Sequence, residues 1–315
     1  MAPLQSDKTL IMVEAARLYY VHQLNQQQIA KKLGISRPGV SRLLQRARDK
    51  GIVRIEILDP SERGSQLEDK LKKQYGLKKV VVVPEDEDVQ VVKRRLGQAA
   101  VILLDQIVTE GTILGISWGT TMQEVARQVR SKHIKDVVVV QLNGGISRAE
   151  YDTHASEISQ KIGEKYRAIP FLLPLPAVVD QSDLKRAIVS DKNIARTLEL
   201  ARKAEIAMFT IGSFGHQSVL VKADYFETDE VDSLLSRGAV GDICSRIISY
   251  DGKICSDELN SRTIGIELEE LKKKQYSIAV AGGKEKLQAI KAGLQGQWFN
   301  TLITDEWVAF ELLHD

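Results

Sequence analysis

Only two of the 315 residues are cysteine, Cys244 and Cys255. Two thiols cannot build a disulfide framework, nor a zinc site unaided, and they read as the reduced thiols of a cytoplasmic protein. The five histidines, His22, His133, His154, His216 and His314, show no metal-ligand spacing, so they read as structural or surface residues and no metal is expected. Long apolar runs are missing as well. Stretches such as Ala99–Leu104 and Val137–Val140 fall far short of the roughly 18 residues a membrane helix needs, which argues against a membrane partner. Met1–Asp7 lacks the basic-then-apolar pattern of a secretion signal. There is no fixed-period repeat and no low-complexity segment. A content of 43% hydrophobic and 27% charged residues excludes collagen-like and wholly disordered chains. The length suggests about two domains.

The net charge of +2 is unevenly placed. Residues 1–58 hold ten basic and four acidic side chains, a net +6, and the rest hold 34 and 38, a net −4. A small basic head on a mildly acidic body suggests a module that faces nucleic acid. Composition shifts at Asp59–Ser65, a polar, turn-rich stretch that reads as a linker over 59–66 between a head (1–58) and a body (67–315).

In the head, Leu10, Val13, Ala16 and Tyr20 give a first helix its buried face. Asn25 suits the N-cap of a short helix Gln26–Leu33, with Ile29, Ala30 and Leu33 inward, and Gly34 ends it. Ser36 caps the next helix, with Pro38 in its first turn, where a missing N–H costs little. Val40, Leu43, Leu44 and Ala47 recur at i, i+3, i+4 and i+7 and share one face. The outer face carries Arg37, Ser41, Arg42, Gln45, Arg46 and Arg48. A short helix, a glycine turn and a second, cationic helix make a helix-turn-helix, whose second helix enters the major groove. Arg37, Ser41, Arg42 and Gln45 fall where base edges are read; Arg46, Arg48, Lys31 and Lys32 fall where phosphates lie. The alternation Val53, Ile55, Ile57 reads as a short strand.

The body alternates apolar strands (Lys79–Val83, Thr112–Ser117, Val137–Leu142, Ile206–Ile211, Ser277–Ala281, Thr301–Thr304) with helices, among them Val89–Val108 and Met122–Val129. That pattern means a parallel sheet covered on both faces: an α/β, doubly wound body. Four strands run into small-residue turns: 115–121, Leu142-Asn143-Gly144-Gly145, 211–215 and Ala281-Gly282-Gly283-Lys284. Ligands of such sheets bind beyond the strands' carboxyl ends. In the first turn a helix begins near Thr120, and its free N–H groups with Ser117, Thr120 and Thr121 favour an anion, phosphate above all. Lys284 adds a charge. A tight turn needs glycine in any case, so each turn alone also has a purely structural reading. Asp242 and Arg246 stand one helical turn apart, and Asn260 and Arg262 follow; these suit sugar hydroxyls and phosphate oxygens, or equally a surface ion pair and a turn.

The chain resembles the SorC-type sugar-responsive bacterial transcriptional regulators, in particular their deoxyribonucleoside-regulator branch. The resemblance rests on 15–20 (AARLYY), 27–44 (QQIAKKLGISRPGVSRLL), 115–121 (GISWGTT), 139–147 (VVQLNGGIS), 173–176 (LPLP), 239–246 (AVGDICSR), 261–268 (SRTIGIEL) and 281–284 (AGGK), nearly the whole length. It implies an N-terminal helix-turn-helix and an effector domain of the sugar-phosphate isomerase and glucosamine-phosphate deaminase type. It also implies binding to double-stranded operator DNA as a homodimer or homotetramer, controlled by a phosphorylated sugar; neither a cofactor nor catalysis is expected. Ser117, Gly119, Thr120, Thr121 and Lys284 carry over as phosphate contacts, and Asp242, Arg246 and Asn260 as effector contacts; Asn143, Gly144 and Gly145 of the second glycine turn are expected at the effector beside them. One position departs. Where the deoxyribose-phosphate branch has a lysine that condenses with the sugar, this chain has Asn143, and an amide forms no Schiff base. The competing reading is an isomerase or deaminase with an accessory DNA-binding head, for which Asp242 is the candidate base.

Overall fold

A computed structural model of the chain describes residues 4–53, 60–147 and 152–314. The chain divides into two compact units, with the boundary between residues 59 and 60.

The first unit comprises α1 (Leu4–Ala16), a π-helical turn (Arg17–Val21), α2 (Gln26–Leu33) and α3 (Arg37–Asp49). Asn25 caps α2 with a capping box: its side chain accepts from the Gln27 and Gln28 amides, and Gln28 Oε1 accepts from the Asn25 amide at 3.0 Å. Gly34 closes the helix at φ +65°, a left-handed conformation that glycine adopts without a Cβ penalty. Ser36 Oγ accepts from the Gly39 amide at 3.2 Å and starts α3. Val40, Leu44 and Ala47 are buried with Ile29 against Met12, Ala15, Ala16 and Leu18. The inward stripe of α1 is Met12, Ala15 and Ala16; of the expected stripe, Ala16 is buried and Tyr20 packs half-buried against this core, while Leu10 is 63% exposed. Residues 10–13 are all apolar, so periodicity there admits more than one stripe, and packing against α2 and α3 selects one. Of the strand expected over 53–57, residues 54–57 lie outside the described residues; the Val53 amide closes a turn onto Ala47 O at 3.1 Å.

The second unit opens with α4 (Pro60–Tyr75), then β1 (Lys79–Val83), α5 (Val89–Ile107), β2 (Ile113–Ile116), α6 (Thr120–Gln128) and β3 (Val138–Gln141). The later strands are β4 (Pro170–Phe171), β5 (Ile206–Phe209), β6 (Ile211–Ser213), β7 (Ala239–Ile243), β8 (Arg246–Ser249), β9 (Tyr276–Val280) and β10 (Thr301–Asp305). The stretch expected as a linker is thus helical from Pro60 onward. Proline in a first helical turn is a start signal, and the polar residues after it lead into the buried Leu67 and Leu71.

Seven strands pair in parallel in the order β1-β10-β9-β5-β2-β3-β4. Successive side chains alternate between two cores. Leu114, Ile116, Val139, Met208, Ile278 and Val280 join α5 and α6 on one side. Val140, Leu142, Ala207, Phe209 and Ala279 meet Leu71, Ile290 and Leu312 on the other. Both faces are covered, as near-continuous apolar strands demand. From β2 the chain proceeds outward to β3 and β4; from β5 it proceeds the opposite way to β9 and β10. The topological switch therefore falls between β2 and β5, and a crevice opens there beyond the strand ends.

A separate antiparallel sheet, β6-β7-β8, stands beside that crevice. Two sequence expectations are corrected by it. Ile211–Ser213 is a strand, not a turn, because the chain breaks at Thr210 and its next residues pair with β7. Asp242 and Arg246 are not a helical turn apart either. They sit on the two arms of a hairpin joined by Cys244 and Ser245, with Asp242 opposite Ile247 and Ile243 opposite Arg246, so their side chains point to opposite faces. Cys244 (φ +50°) and Ser245 (φ +67°) are both left-handed, the geometry a two-residue hairpin loop requires.

Candidate functional site

At the switch point the structure holds a cavity of about 180 Å³. Its walls come from the β2–α6 turn (Ser117 to Thr120), Asn143 after β3, Thr210 and β6, Ser218 to Leu220, the hairpin residues Asp242, Cys244 and Ser245, and three charged side chains, Lys93, Glu285 and Lys286.

Gly119 is the N-cap of α6 at φ +129°, and no side chain caps that helix. A Cβ on Gly119 would meet Thr210 Cγ2 at 2.8 Å, so glycine lets the turn lie against the neighbouring strand end. The first-turn N–H groups of α6 have no side-chain acceptor and the dipole adds partial positive charge, which suits an anion. Lys286 stands across the cavity, its Nζ donating to Thr210 Oγ1 at 3.2 Å. Burial, with Lys93 nearby, pushes its ammonium down to about 8, against the pull of Glu285 and Asp242.

Asp242 is packed so closely on β6 that a Cβ on Gly212 would lie 2.0 Å from its Oδ1. Its Oδ2 accepts from the Ser245 amide at 3.1 Å. Burial pushes its carboxyl up to about 6, against that hydrogen bond and the Lys286 charge. Burial also pushes the Cys244 thiol up to about 12, which leaves it a protonated, unreactive wall group. Asn143 is 1% exposed. Its Nδ2 donates to Ser245 Oγ at 2.8 Å, and its Oδ1 is buried with no partner.

Of the effector residues expected from sequence, the fold brings Ser117, Gly119, Thr120, Asn143 and Asp242 to this cavity. Thr121, Gly144, Gly145, Arg246, Asn260 and Lys284 are not among its lining residues. Thr121 is buried in α6. Gly144 and Gly145 are closely packed, since added Cβ atoms would lie 2.3 Å from Pro176 O and 2.4 Å from Ala155 Cβ, and their amides donate to Ile264 O and Leu175 O. Lys284 is exposed, its Nζ 5.4 Å from the Trp307 ring. Arg246 has a fully buried side chain. It donates to Ile266 O at 2.7 Å, to Gly265 O at 3.1 Å and to Asn260, and it pairs with Glu267 at 2.8 Å. Arg246 and Asn260 thus belong to the scaffold behind the hairpin. Sequence reasoning missed Lys93 and Lys286. Lys286 lies two residues beyond the fourth glycine turn, in a one-turn 3₁₀ helix (Lys284–Lys286) that aims alternate lysines differently. Lys93 carries no local signal, since it is one charged residue of α5.

In the first unit, Lys31, Lys32, Arg37, Ser41, Arg42, Gln45, Arg46 and Arg48 are all exposed. Gln45 donates to Asp49 Oδ1 at 2.9 Å and accepts from Arg48 at 2.6 Å. Among the described residues no ion pair neutralises Lys31, Lys32, Arg37, Arg42 or Arg46. No described helix is long and apolar enough to cross a membrane.

Comparison with known proteins gives the same two parts. Residues 59–314 match the Sugar-bind family, a sugar-binding domain, and residues 16–64 match the MarR family. The chain is 42% identical over 310 residues to the deoxyribonucleoside regulator of Bacillus subtilis, covering 98% of this chain and 99% of that one. It is 31% identical over 313 residues to the sorbitol operon regulator of Klebsiella pneumoniae, covering 98% and 99%. The crystal structure of the full-length sorbitol operon regulator SorC from Klebsiella pneumoniae superposes with a TM-score of 0.74 at 29% identity, covering 98% of this chain and 99% of that one. With a helix-turn-helix ahead of a sugar-binding α/β unit, and with relatives matched over almost their whole length, the chain belongs to the SorC-type family of sugar-responsive, DNA-binding transcriptional regulators.

Proposed function

We propose that a phosphorylated sugar in the cavity between β2 and β5 controls operator binding by α3, in a cytoplasmic homodimer or homotetramer without catalytic activity. The supporting observation is the pairing of an uncapped helix N-terminus with the half-buried Lys286 in one cavity at the topological switch point. The phosphate lies on the α6 amides with Ser117 and Thr120, and Lys286 and Lys93 supply the charge. The sugar extends toward Asn143 and Asp242. Binding biases one arrangement of subunits, and so the spacing of the two recognition helices, by as much as the effector's affinities for the two arrangements differ. A thermal-shift screen of pentose and hexose phosphates on the full chain tests this reading, because a ligand of the folded state raises the melting temperature. No shift with any phosphorylated sugar contradicts it.

The cavity's charges set a pH window. Lys286 has a lowered value of about 8, so it is charged below that pH and neutral above it. A phosphate ester becomes a dianion above its second pKa of about 6. Titration calorimetry is expected to show the tightest binding between these limits, weaker binding above pH 8, and uptake of about one proton per effector there. Affinity that stays flat from pH 7 to 9.5 contradicts the role of Lys286.

For the head, Arg42→Ala is expected to weaken operator binding by about 1–3 kcal/mol and leave effector binding unchanged. Fluorescence anisotropy at fixed salt checks it, and an equal loss of both activities would signal misfolding instead.

The enzyme reading draws on Asp242, a half-buried carboxyl with a raised pKa at the cavity wall, as a general base requires. Turnover of a sugar phosphate that disappears in Asp242→Asn would favour it.

A further inference from the structure

The polar groups of this cavity are satisfied unevenly. Thr210 Oγ1 accepts from Lys286, and Asp242 Oδ2 accepts from the Ser245 amide. The Asn143 side chain makes one hydrogen bond, to Ser245 Oγ at 2.8 Å, while its other polar atom is buried and unpaired. Turning the amide over does not remove the deficit: a serine hydroxyl can donate as well as accept, so Oδ1 would then be paired and Nδ2 left alone. In either orientation the 1%-exposed amide at the cavity wall lacks one partner. Buried polar atoms in native proteins rarely stay unpaired, and one on a residue that lines a ligand-sized cavity is an atom a ligand can satisfy.

We propose that Asn143 is a specificity-determining residue whose unpaired amide atom bonds a hydroxyl of the bound sugar, so that the cavity selects a fully hydroxylated sugar phosphate over its deoxy analogue. A hydroxyl both donates and accepts, so it completes the amide in either orientation, whereas the methylene of a deoxy sugar completes it in neither. A site with a buried polar atom to satisfy rejects the ligand that lacks the matching group far more strongly than an apolar pocket rejects a small change of size. Ser245 holds the amide in place, and the left-handed hairpin turn holds Ser245. The adjoining hydrogen bonds, Gln141 Nε2 to Asn143 O at 2.8 Å and Trp118 Nε1 to Gly144 O at 2.7 Å, fix the backbone beneath it.

This inference rests on the phosphosugar reading above, and one set of titrations separates the two. The full chain is titrated with inorganic phosphate, ribose 5-phosphate and glucose 6-phosphate, and with the 2- and 3-deoxy analogues of the two sugars. For the sugar that binds, one deoxy analogue is expected to bind about 10- to 100-fold more weakly. In Asn143→Leu that ratio is expected to fall to within threefold, through loss of affinity for the hydroxylated ligand. Equal binding of parent and deoxy sugars by the wild-type chain overturns the inference and leaves the phosphosugar reading standing. So does a preference that survives in Asn143→Leu. If Asn143→Leu fails to fold, the wild-type comparison still decides. Failure of every probe, phosphate included, overturns the phosphosugar reading itself.

Discussion

Lys286→Met is expected to yield a regulator that still binds its operator and no longer responds to its effector. Methionine keeps the length and apolar stem of the side chain and removes the charge. The folded chain already disfavours the Lys286 ammonium, since burial and Lys93 hold its pKa near 8. If a phosphate enters as proposed, it favours the charged form again, and a hydrogen bond to a charged group is worth about 1.5–3 kcal/mol, or roughly 10- to 150-fold in affinity. Stability is not expected to fall, because the substitution removes a half-buried, disfavoured charge that donates to Thr210. The neighbouring Lys284→Met is the control. That side chain is exposed and does not line the cavity, so effector affinity is expected to change less than twofold. Calorimetry on both variants decides between them, and a loss in Lys284→Met alone would reinstate the assignment that motif position suggested.

Arg246→Ala is expected to behave in the opposite way, costing stability before it costs binding. The guanidinium is fully buried and holds together carbonyls of two segments, Gly265–Ile266 and Asn260, as well as the half-exposed Glu267. Truncation leaves those carbonyls without donors and opens a void behind the hairpin. Leaving a buried acceptor without its donor costs about 1–3 kcal/mol each, so the loss is a large part of the 5–15 kcal/mol that holds a domain folded. Urea denaturation is expected to show a midpoint lowered accordingly, with sugar-phosphate affinity of the folded fraction nearly unchanged. Full stability with lost binding would mean that Arg246 touches the effector after all.

These two residues mark where sequence stops being legible. Periodicity and caps give α2 and α3 correctly, because Asn25, Gly34 and Ser36 act locally. The parallel strands are legible because each is buried on both faces and therefore apolar throughout. The anion-ready turn before α6 is legible because strand, glycine and hydroxyls are contiguous. The hairpin is not. Its loop, Cys244-Ser245, lacks the Asn-Gly signature of such turns, so the Asp242–Arg246 spacing reads as helical when the two side chains lie on opposite faces. Lys93 and Lys286 reach the cavity from elements distant in the chain, a convergence that no local spacing encodes.

The central claim is that one chain couples a cationic reader of DNA to an anion-binding cavity. It is tested most directly by fluorescence anisotropy of duplexes from upstream of the protein's own operon, at one fixed salt concentration. The full chain is measured with and without the sugar phosphate that gives the largest thermal shift. The account predicts binding well above that to random duplex and a change of at least about tenfold on adding the effector, absent in Lys286→Met. Affinity indifferent to the effector in the wild-type chain, or no preference for any specific site, contradicts it.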